Sequence, residues 1–492
     1  MLSSRYFSLK FLFLLLFIIS VILLLVSFFT LSVNGDESII AEHSLWITKV
    51  NYVKSPIFDG MGAGWETRQY HFHKLFVYVG AIVIKIFGIS LHALRSISLI
   101  CLLVTLFLIF KYSGKIKETK YFWESLIVTS LVLIANNNFI ENGLIFRPET
   151  MVMTFGFASF YFLDRGIRES NQKLLLISAG MAGLSMFTHL NGICYIFAGF
   201  ILLIIHRKYS VALLFGVISS IVFSFYFLDI LSISELKAFW NQFTHDPNLN
   251  DSELLNPVLK LLNEHLRFFC NVSIALFSVL TLTCLLMNYK VLRLRYSNLL
   301  LYFLLLIIAL ALFTHGKTLK YALIVFPYMA LIIGLSIPEL LRSVPLKKLL
   351  VSLVFAAFLG MNLVAETNGI ALSENTVKRN QWKSSFMPQK QSNVLANENF
   401  FFNENEHYHI HSRLAFTLLY EKSLKKKPVD RDFYLFAENR NNQYIIIDSV
   451  EDSEEFLDLV GYKMFWPGKK VFNYCVITKT GGFAILELNR QK

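Results

Sequence analysis

Residues 11–31 form an unbroken apolar run of about 21 residues, enough to cross a ~30 Å hydrocarbon core as one helix and longer than the roughly 7–15 residues of a signal-peptide core. Arg5 and Lys10 precede it and no small-residue cleavage site follows, so it reads as an uncleaved first helix. Its basic end belongs in the cytoplasm and its other end, at Asn34, Gly35, Asp36 and Glu37, on the outer face. Further apolar runs follow in a chain that is 55% hydrophobic and 16% charged, which sets aside disordered, collagen-like and disulfide-scaffold classes. The solvent expected for this chain is a bilayer.

Its charge is then a topology signal. Net charge is +12, but Lys and Arg fall in short clusters between apolar runs, so no nucleic-acid partner is expected. The clusters Lys111/Lys115/Lys117/Lys120, Arg165/Arg168/Lys173, Arg207/Lys208, Lys290/Arg293/Arg295 and Arg342/Lys347/Lys348 read as cytoplasmic, and the connections between them as outer. Residues 75–90 are apolar but short and interrupted by Lys85; counting them as a span would move every later basic loop outside, so they are expected to lie in the outer interface. The expected spans are 11–31, 91–110, 121–136, 150–163, 174–188, 192–206, 210–231, 268–288, 297–314, 319–337 and 349–366, about eleven helices. The five cysteines have neither metal-ligand spacing nor a disulfide pattern.

After Glu366 the composition turns charged and Asn-rich. Residues 444–448 read as a strand, the acidic 451–455 as a helix start, and 471–488 as alternating strands around a Gly481-Gly482 turn. The expected fold is a polytopic α-helical membrane domain over 1–366, with its first outer loop at 32–90, and a small extracytoplasmic α/β domain over 367–492.

Mid-span positions are nearly free of charge, and no half-to-half repeat is visible, which argues against a transporter. Polar residues gather instead at the outer helix ends: Asp36, Glu37 and Glu42; His71, His73 and Lys74; Arg147 and Glu149; His189 and Asn191; His315, Lys317, Lys320 and Tyr321. A phosphate leaving group in a partly dehydrated site needs cations, which Arg147, Lys317 and Lys320 could supply, and Asp36 or Glu37 could take a proton from an attacking group. His71 and His73, two apart, could contact substrate, sit inert in a loop, or hold a divalent metal with Asp36; no cofactor is otherwise implied.

Gly35-Asp36-Glu37 after the first helix, followed by an amphipathic stretch over 41–53, resembles the Asp-Glu pair of the GT-C glycosyltransferases, in the family 39 branch of protein O-mannosyltransferases and the lipid A aminoarabinose transferase. The segment 70–75, the apolar run ending Lys85-Ile-Phe-Gly88, and Ala93-Leu-Arg95 resemble that family's juxtamembrane segment and later Arg. Arg147-Pro148-Glu149 resembles its Arg-Pro-Asp, residues 187–192 a Thr-Lys-Gly turn, and His315-Gly-Lys317 through Tyr321 a Lys-Gly-Lys turn leading to Tyr. His189 and His315 stand where Lys is common, and a Pro-Pro pair is missing. The resemblance implies an integral, multi-pass enzyme of a bacterial inner or plasma membrane using a polyprenyl-phosphate sugar on the extracytoplasmic face, among membrane lipids, with a protein, lipid or glycan acceptor. It implies an inverting attack with Asp36 and Glu37 catalytic, and His71, His73, Lys74, Arg147, Glu149, His189, His315, Lys317 and Tyr321 contacting substrate and lipid phosphate. A polysaccharide polymerase or ligase, and a flippase of lipid-linked sugars, are the alternative readings.

Overall fold

A computed structural model of the chain describes residues 2–59, 61, 64–114, 121–244, 256–314 and 317–489, without the side chains of 2–9, 422 and 423. In chain order the helical part comprises α1 (Leu2–Thr30), α2 (Gly35–Val50), α3 (Lys74–Phe87), α4 (Leu91–Ser113), α5 (Phe122–Ile134), α6 (Asn137–Gly143), α7 (Glu149–Arg168), α8 (Gln172–Thr188) and α9 (Ile193–Ile205). It continues with α10 (Tyr209–Ser224), α11 (Ile233–Thr244), α12 (Pro257–Leu262), α13 (His265–Phe269), α14 (Val272–Met287), α15 (Tyr289–Phe313), α16 (Phe326–Leu340) and α17 (Pro345–Leu372).

Every expected span coincides with one of these helices. Six stretches are individually long and apolar enough to cross a membrane: Lys10–Thr30, Leu91–Ser113, Tyr209–Phe227, Tyr289–Phe313, Leu319–Leu340 and Pro345–Ser384. Pro257–Phe269 and Val272–Met287, bent by 108°, make a seventh as a broken pair. The other runs differ for physical reasons. Helices α5 and α9 have only 13 residues each. Helices α7 and α8 face protein more than lipid, so they carry hydroxyls that satisfy one another: Ser159 meets Ser178 at 3.1 Å, and Thr154 on α7 meets Thr105 on α4 at 2.9 Å. Residues 75–90 form α3, 14 residues long, with Phe76 and Val77 buried and Ile82, Ile86 and Phe87 exposed. That length is too short to span, and the one-sided apolar face suits an interfacial helix.

Helix α17 runs on past Glu366 to Leu372 and is followed by a short helix, Thr376–Ser384. A six-stranded sheet then forms from β1 (Asn393–Ala396), β2 (His409–Ser412), β3 (Asn442–Asp448), β4 (Lys470–Val471), β5 (Tyr474–Thr480) and β6 (Phe483–Leu488), in the order β2-β1-β3-β6-β5-β4. β1 pairs in parallel with β2 and β3, while β6 runs antiparallel to β3 and β5. Gly481 and Gly482, with φ of 55° and 82°, supply the double left-handed turn that a two-residue hairpin loop needs.

This domain does not stand apart from the first outer loop. Ile40 and Leu45 of α2 and Phe76 of α3 pack in one apolar cluster with Phe400, Phe402, Ile445 and Ile447. At the start of α2, a Cβ on Gly35 would collide with the carboxylate of Glu398, which follows β1. The sheet domain therefore holds the beginning of α2 in place.

Buried in the same region is Glu42, whose Oε1 accepts the Ile57 N–H at 3.2 Å. Burial outweighs that bond and pushes its carboxyl up to about 8 from the ordinary 4.5. Folding therefore favours the protonated acid, so its contribution to stability is whole below about pH 4.5 and falls, by at most about 1.4 kcal/mol per pH unit, until about pH 8. Glu42→Gln should remove this decline. Thermal unfolding at pH 5.5 and 7.5 checks it: equal pH dependence in both proteins would contradict the assignment.

Candidate functional site

The chain leaves α1 and turns at Asn34, which caps α2. Asn34 Oδ1 accepts the Asp36 N–H at 3.1 Å, and Glu37 returns the favour by accepting the Asn34 N–H at 3.0 Å. The helix thus starts at Gly35, with Asn34 as its cap. Asp36 sits in the first turn, where the free N–H groups and helix dipole favour a carboxylate.

Glu37 points inward. Its carboxylate receives Arg95 Nε at 2.8 Å and Nη2 at 2.6 Å, together with the Phe146 N–H at 2.7 Å. Both partners of this bidentate pair are 0% exposed. Arg95 spends its remaining donors on the carbonyls of Leu31 and Ser32, at 2.7 and 2.9 Å, just after α1. Glu37 therefore ties α1, α4 and the loop before α7 to the start of α2.

Asp36, half-buried, meets two cations through a single oxygen: Arg147 Nη1 and Lys320 Nζ both donate to Oδ2. Oδ1 takes no hydrogen bond from the described residues. Burial opposes ionisation of Asp36, but Arg147 and Lys320 outweigh it and hold the carboxyl below its usual range. Arg147 is itself fixed by Glu149, whose two oxygens receive Nε at 3.1 Å and Nη2 at 2.6 Å. Pro148 between them caps α7 at its N-terminal end. Lys320 lies in the tight turn Leu319–Val325 that leads into α16.

Next to this triad is an imidazole stack. The rings of His73 and His189 lie 4.5 Å apart at 15°, and Tyr321 meets His189 edge-on at 5.7 Å. His189 Nδ1 accepts the Asn191 N–H at 3.0 Å, which leaves the proton on Nε2. Burial drives both histidines down, His189 to about 4, with Glu149 pulling the other way; for His73 the neighbouring His189 and Arg147 act with burial to disfavour its charged form. Both are neutral at pH 7. They can donate or accept hydrogen bonds to a sugar or a phosphate ester, but they bring no charge.

Three other expected residues lie elsewhere. His71 stacks edge-on against Phe239 and Phe243 of α11, at 6.1 and 5.1 Å. Lys74 is buried and paired with Asp229, over the ring of Tyr226. Lys317 is held by Glu264 Oε2 at 2.5 Å rather than by Asp36. His315 lies outside the described residues. Among the described residues no three His, Cys, Asp or Glu side chains converge as metal ligands, so His71, His73 and Asp36 do not form the metal arrangement open to them in sequence. Asp229, Glu264 and Arg267 went unnoticed in the sequence. Their signal was a charge within an apolar neighbourhood, as in Leu228-Asp229-Ile230 and Leu266-Arg267-Phe268.

Residues 75–227 match the family described as dolichyl-phosphate-mannose-protein mannosyltransferase. No curated protein matches this chain. Among solved structures, the fold is similar to ArnT from Cupriavidus metallidurans in the apo state, at 9% identity over 99% of this chain and 98% of that one, with a TM-score of 0.63. It is similar to ArnT of the same organism bound to undecaprenyl phosphate, at 10% identity over 96% and 97%, TM-score 0.56. It is also similar to the oligosaccharyltransferase AglB from Archaeoglobus fulgidus in complex with an inhibitory peptide and a dolichol-phosphate, at 11% identity over 92% and 71%, TM-score 0.53. At these identities the likeness is one of fold.

Proposed function

We propose that this chain is a glycosyltransferase of the GT-C type that moves a sugar from a polyprenyl-phosphate donor to an acceptor hydroxyl, with inversion, on the extracytoplasmic face of a membrane; the family match over residues 75–227 and the shared fold support this reading. The observation that carries this reading is Asp36: one oxygen is anchored by Arg147 and Lys320 and the other takes no hydrogen bond from the described residues. An anchored carboxylate with one open oxygen is the geometry of a general base.

In this reading Oδ1 of Asp36 takes the proton of the acceptor hydroxyl as its oxygen attacks the anomeric carbon. The bond from that carbon to the phosphate oxygen breaks, and the lipid phosphate leaves with its electron pair. Lys320 and Arg147 stand where the growing phosphate charge can be compensated. As they turn towards that phosphate, they release Asp36 from the charges that hold its basicity low. Neutral His73 and His189, with Tyr321, supply uncharged hydrogen bonds to the sugar or phosphate ester. Glu37 and Glu149 are positioning residues in this scheme, a change for Glu37 from the catalytic role its sequence neighbourhood suggested. Lys74 and Lys317 hold loops.

Purified protein in detergent, given a radiolabelled synthetic polyprenyl-phosphate hexose, should release sugar to acceptor or water. No turnover with hexose or pentose donors would overturn the reading. Lys320→Met should weaken undecaprenyl-phosphate binding roughly ten- to a hundredfold, the worth of one charge-assisted hydrogen bond. Lys317→Met, which breaks a contact to Glu264, should change it far less. A loss in Lys317→Met equal to that in Lys320→Met would put the wrong lysine at the phosphate.

A further inference from the structure

Two helices of the outer loop are built inside out. On α11, Glu235, Phe239 and Gln242 recur at helical spacing and face protein. Glu235 pairs with Arg68 at 2.9 Å, Phe239 is buried, and Gln242 accepts the Tyr70 N–H at 2.8 Å while donating to the Arg68 carbonyl at 2.8 Å. The opposite stripe, Ile233, Leu236 and Trp240, is exposed, at 74%, 49% and 62%. The stretch Pro257–Phe269 repeats the pattern. Its inner stripe is polar: the Lys260 carbonyl and Glu264 hold Lys317, and Arg267, fully buried, reaches Thr314 Oγ1 at 2.7 Å and the Thr318 carbonyl at 2.9 Å. Its outer stripe, Leu259, Leu262 and Leu266, is exposed.

In water an amphipathic helix turns its apolar stripe to the protein and its charges outward. The reverse arrangement, with an aromatic such as Trp240 on the outer face, is what a lipid surface selects. Geometry agrees. The 108° bend between Pro257–Phe269 and Val272–Met287 lays the first helix close to a right angle with one that crosses the membrane, and so near the membrane plane. Between α10 and α11 the chain also exposes Phe225, Leu228 and Leu231.

We infer that α11 and the helix Pro257–Phe269 are embedded in the outer leaflet of the bilayer, apolar stripes among the acyl chains and polar stripes against Arg68, Tyr70 and Lys317. This goes beyond the proposed reaction, since it concerns the membrane and not the sugar. One consequence is spatial: a single helix, about 10 Å across, separates the acyl chains from Lys317, which lies just before Lys320 of the site in the chain.

The test uses the full-length protein in vesicles of phosphatidylcholine and phosphatidylglycerol. Bimane is attached at Leu236→Cys, Leu262→Cys and, as a water-facing reference in the sheet domain, Lys463→Cys; labelling of native Cys270, which is exposed, is subtracted with the unsubstituted protein. Brominated-chain phosphatidylcholine should dim the labels at 236 and 262 roughly twofold and leave 463 unchanged, while aqueous iodide should do the reverse. Labels at 236 and 262 that respond like 463 would overturn the inference and assign these stripes to water or to a protein partner. If a cysteine variant does not fold, Trp240 gives the reading: brominated lipid must dim wild-type emission more than that of Trp240→Phe, and equal dimming refutes the embedding.

Discussion

Asp36→Asn is expected to lower sugar transfer by about 10²–10⁴-fold, the usual worth of general-base assistance, while leaving the protein folded. The amide keeps the shape of the carboxylate but cannot take a proton at neutral pH. Stability should barely move. Asn34, not Asp36, caps α2, the partly exposed Lys320 pair lost with the charge is worth about 1 kcal/mol or less, and the amide oxygen can still accept from Arg147. Arg147 keeps its bidentate partner Glu149.

The same variant should bind undecaprenyl phosphate more tightly than wild type. Asp36 occupies Lys320 and one arm of Arg147, so an incoming phosphate competes with an anion built into the protein. Removing that anion frees both cations, and a gain of several-fold is expected from the contacts involved. Tighter binding together with lost transfer separates the base from a purely structural carboxylate, whose replacement would change neither. If Asp36→Asn retains more than about half of wild-type turnover of a polyprenyl-phosphate sugar, the proton goes elsewhere and the assignment fails.

The outline of this site was legible because its parts sit in short motifs at helix ends. Asp36, Arg147 and Tyr321 are separated by more than a hundred residues at each step, yet each follows or precedes an apolar run whose end could be read from hydropathy alone. What could not be read is which charge meets which. Lys317 and Lys320 differ in sequence by one helical turn, and only the path of Leu319–Val325 sends one to Glu264 and the other to Asp36. Glu37 misled for a related reason. It stands beside Asp36 at the end of a span, but a helix starting at Gly35 turns consecutive residues about 100° apart, which points Glu37 at Arg95 and Asp36 at Arg147 and Lys320. Length alone counts too few spans where interior helices such as α5 and α9 are short, because their neighbours are protein and their length is not set by bilayer thickness.

Arg95→Met should be the most damaging single change outside the reacting groups. Methionine fills much of the volume, but it leaves the Glu37 carboxylate buried with only the backbone donors of Asn34 and Phe146, and leaves the carbonyls of Leu31 and Ser32 without their partner. Removing one member of a buried ion pair costs about 3–5 kcal/mol, a large share of the stability of a typical fold. The expected result is loss of folded protein in detergent extracts and a lowered unfolding temperature. Adding Glu37→Gln should recover part of the loss, because the stranded charge disappears and the amide can still accept from both backbone groups. This rescue distinguishes the two roles open to Glu37. A residue that holds the start of α2 gives a double variant more stable than Arg95→Met alone, and a Glu37→Gln single variant whose turnover falls in step with its stability. A residue that touches the reacting atoms would instead lose turnover at unchanged unfolding temperature, and that outcome would return Glu37 to the catalytic set beside Asp36.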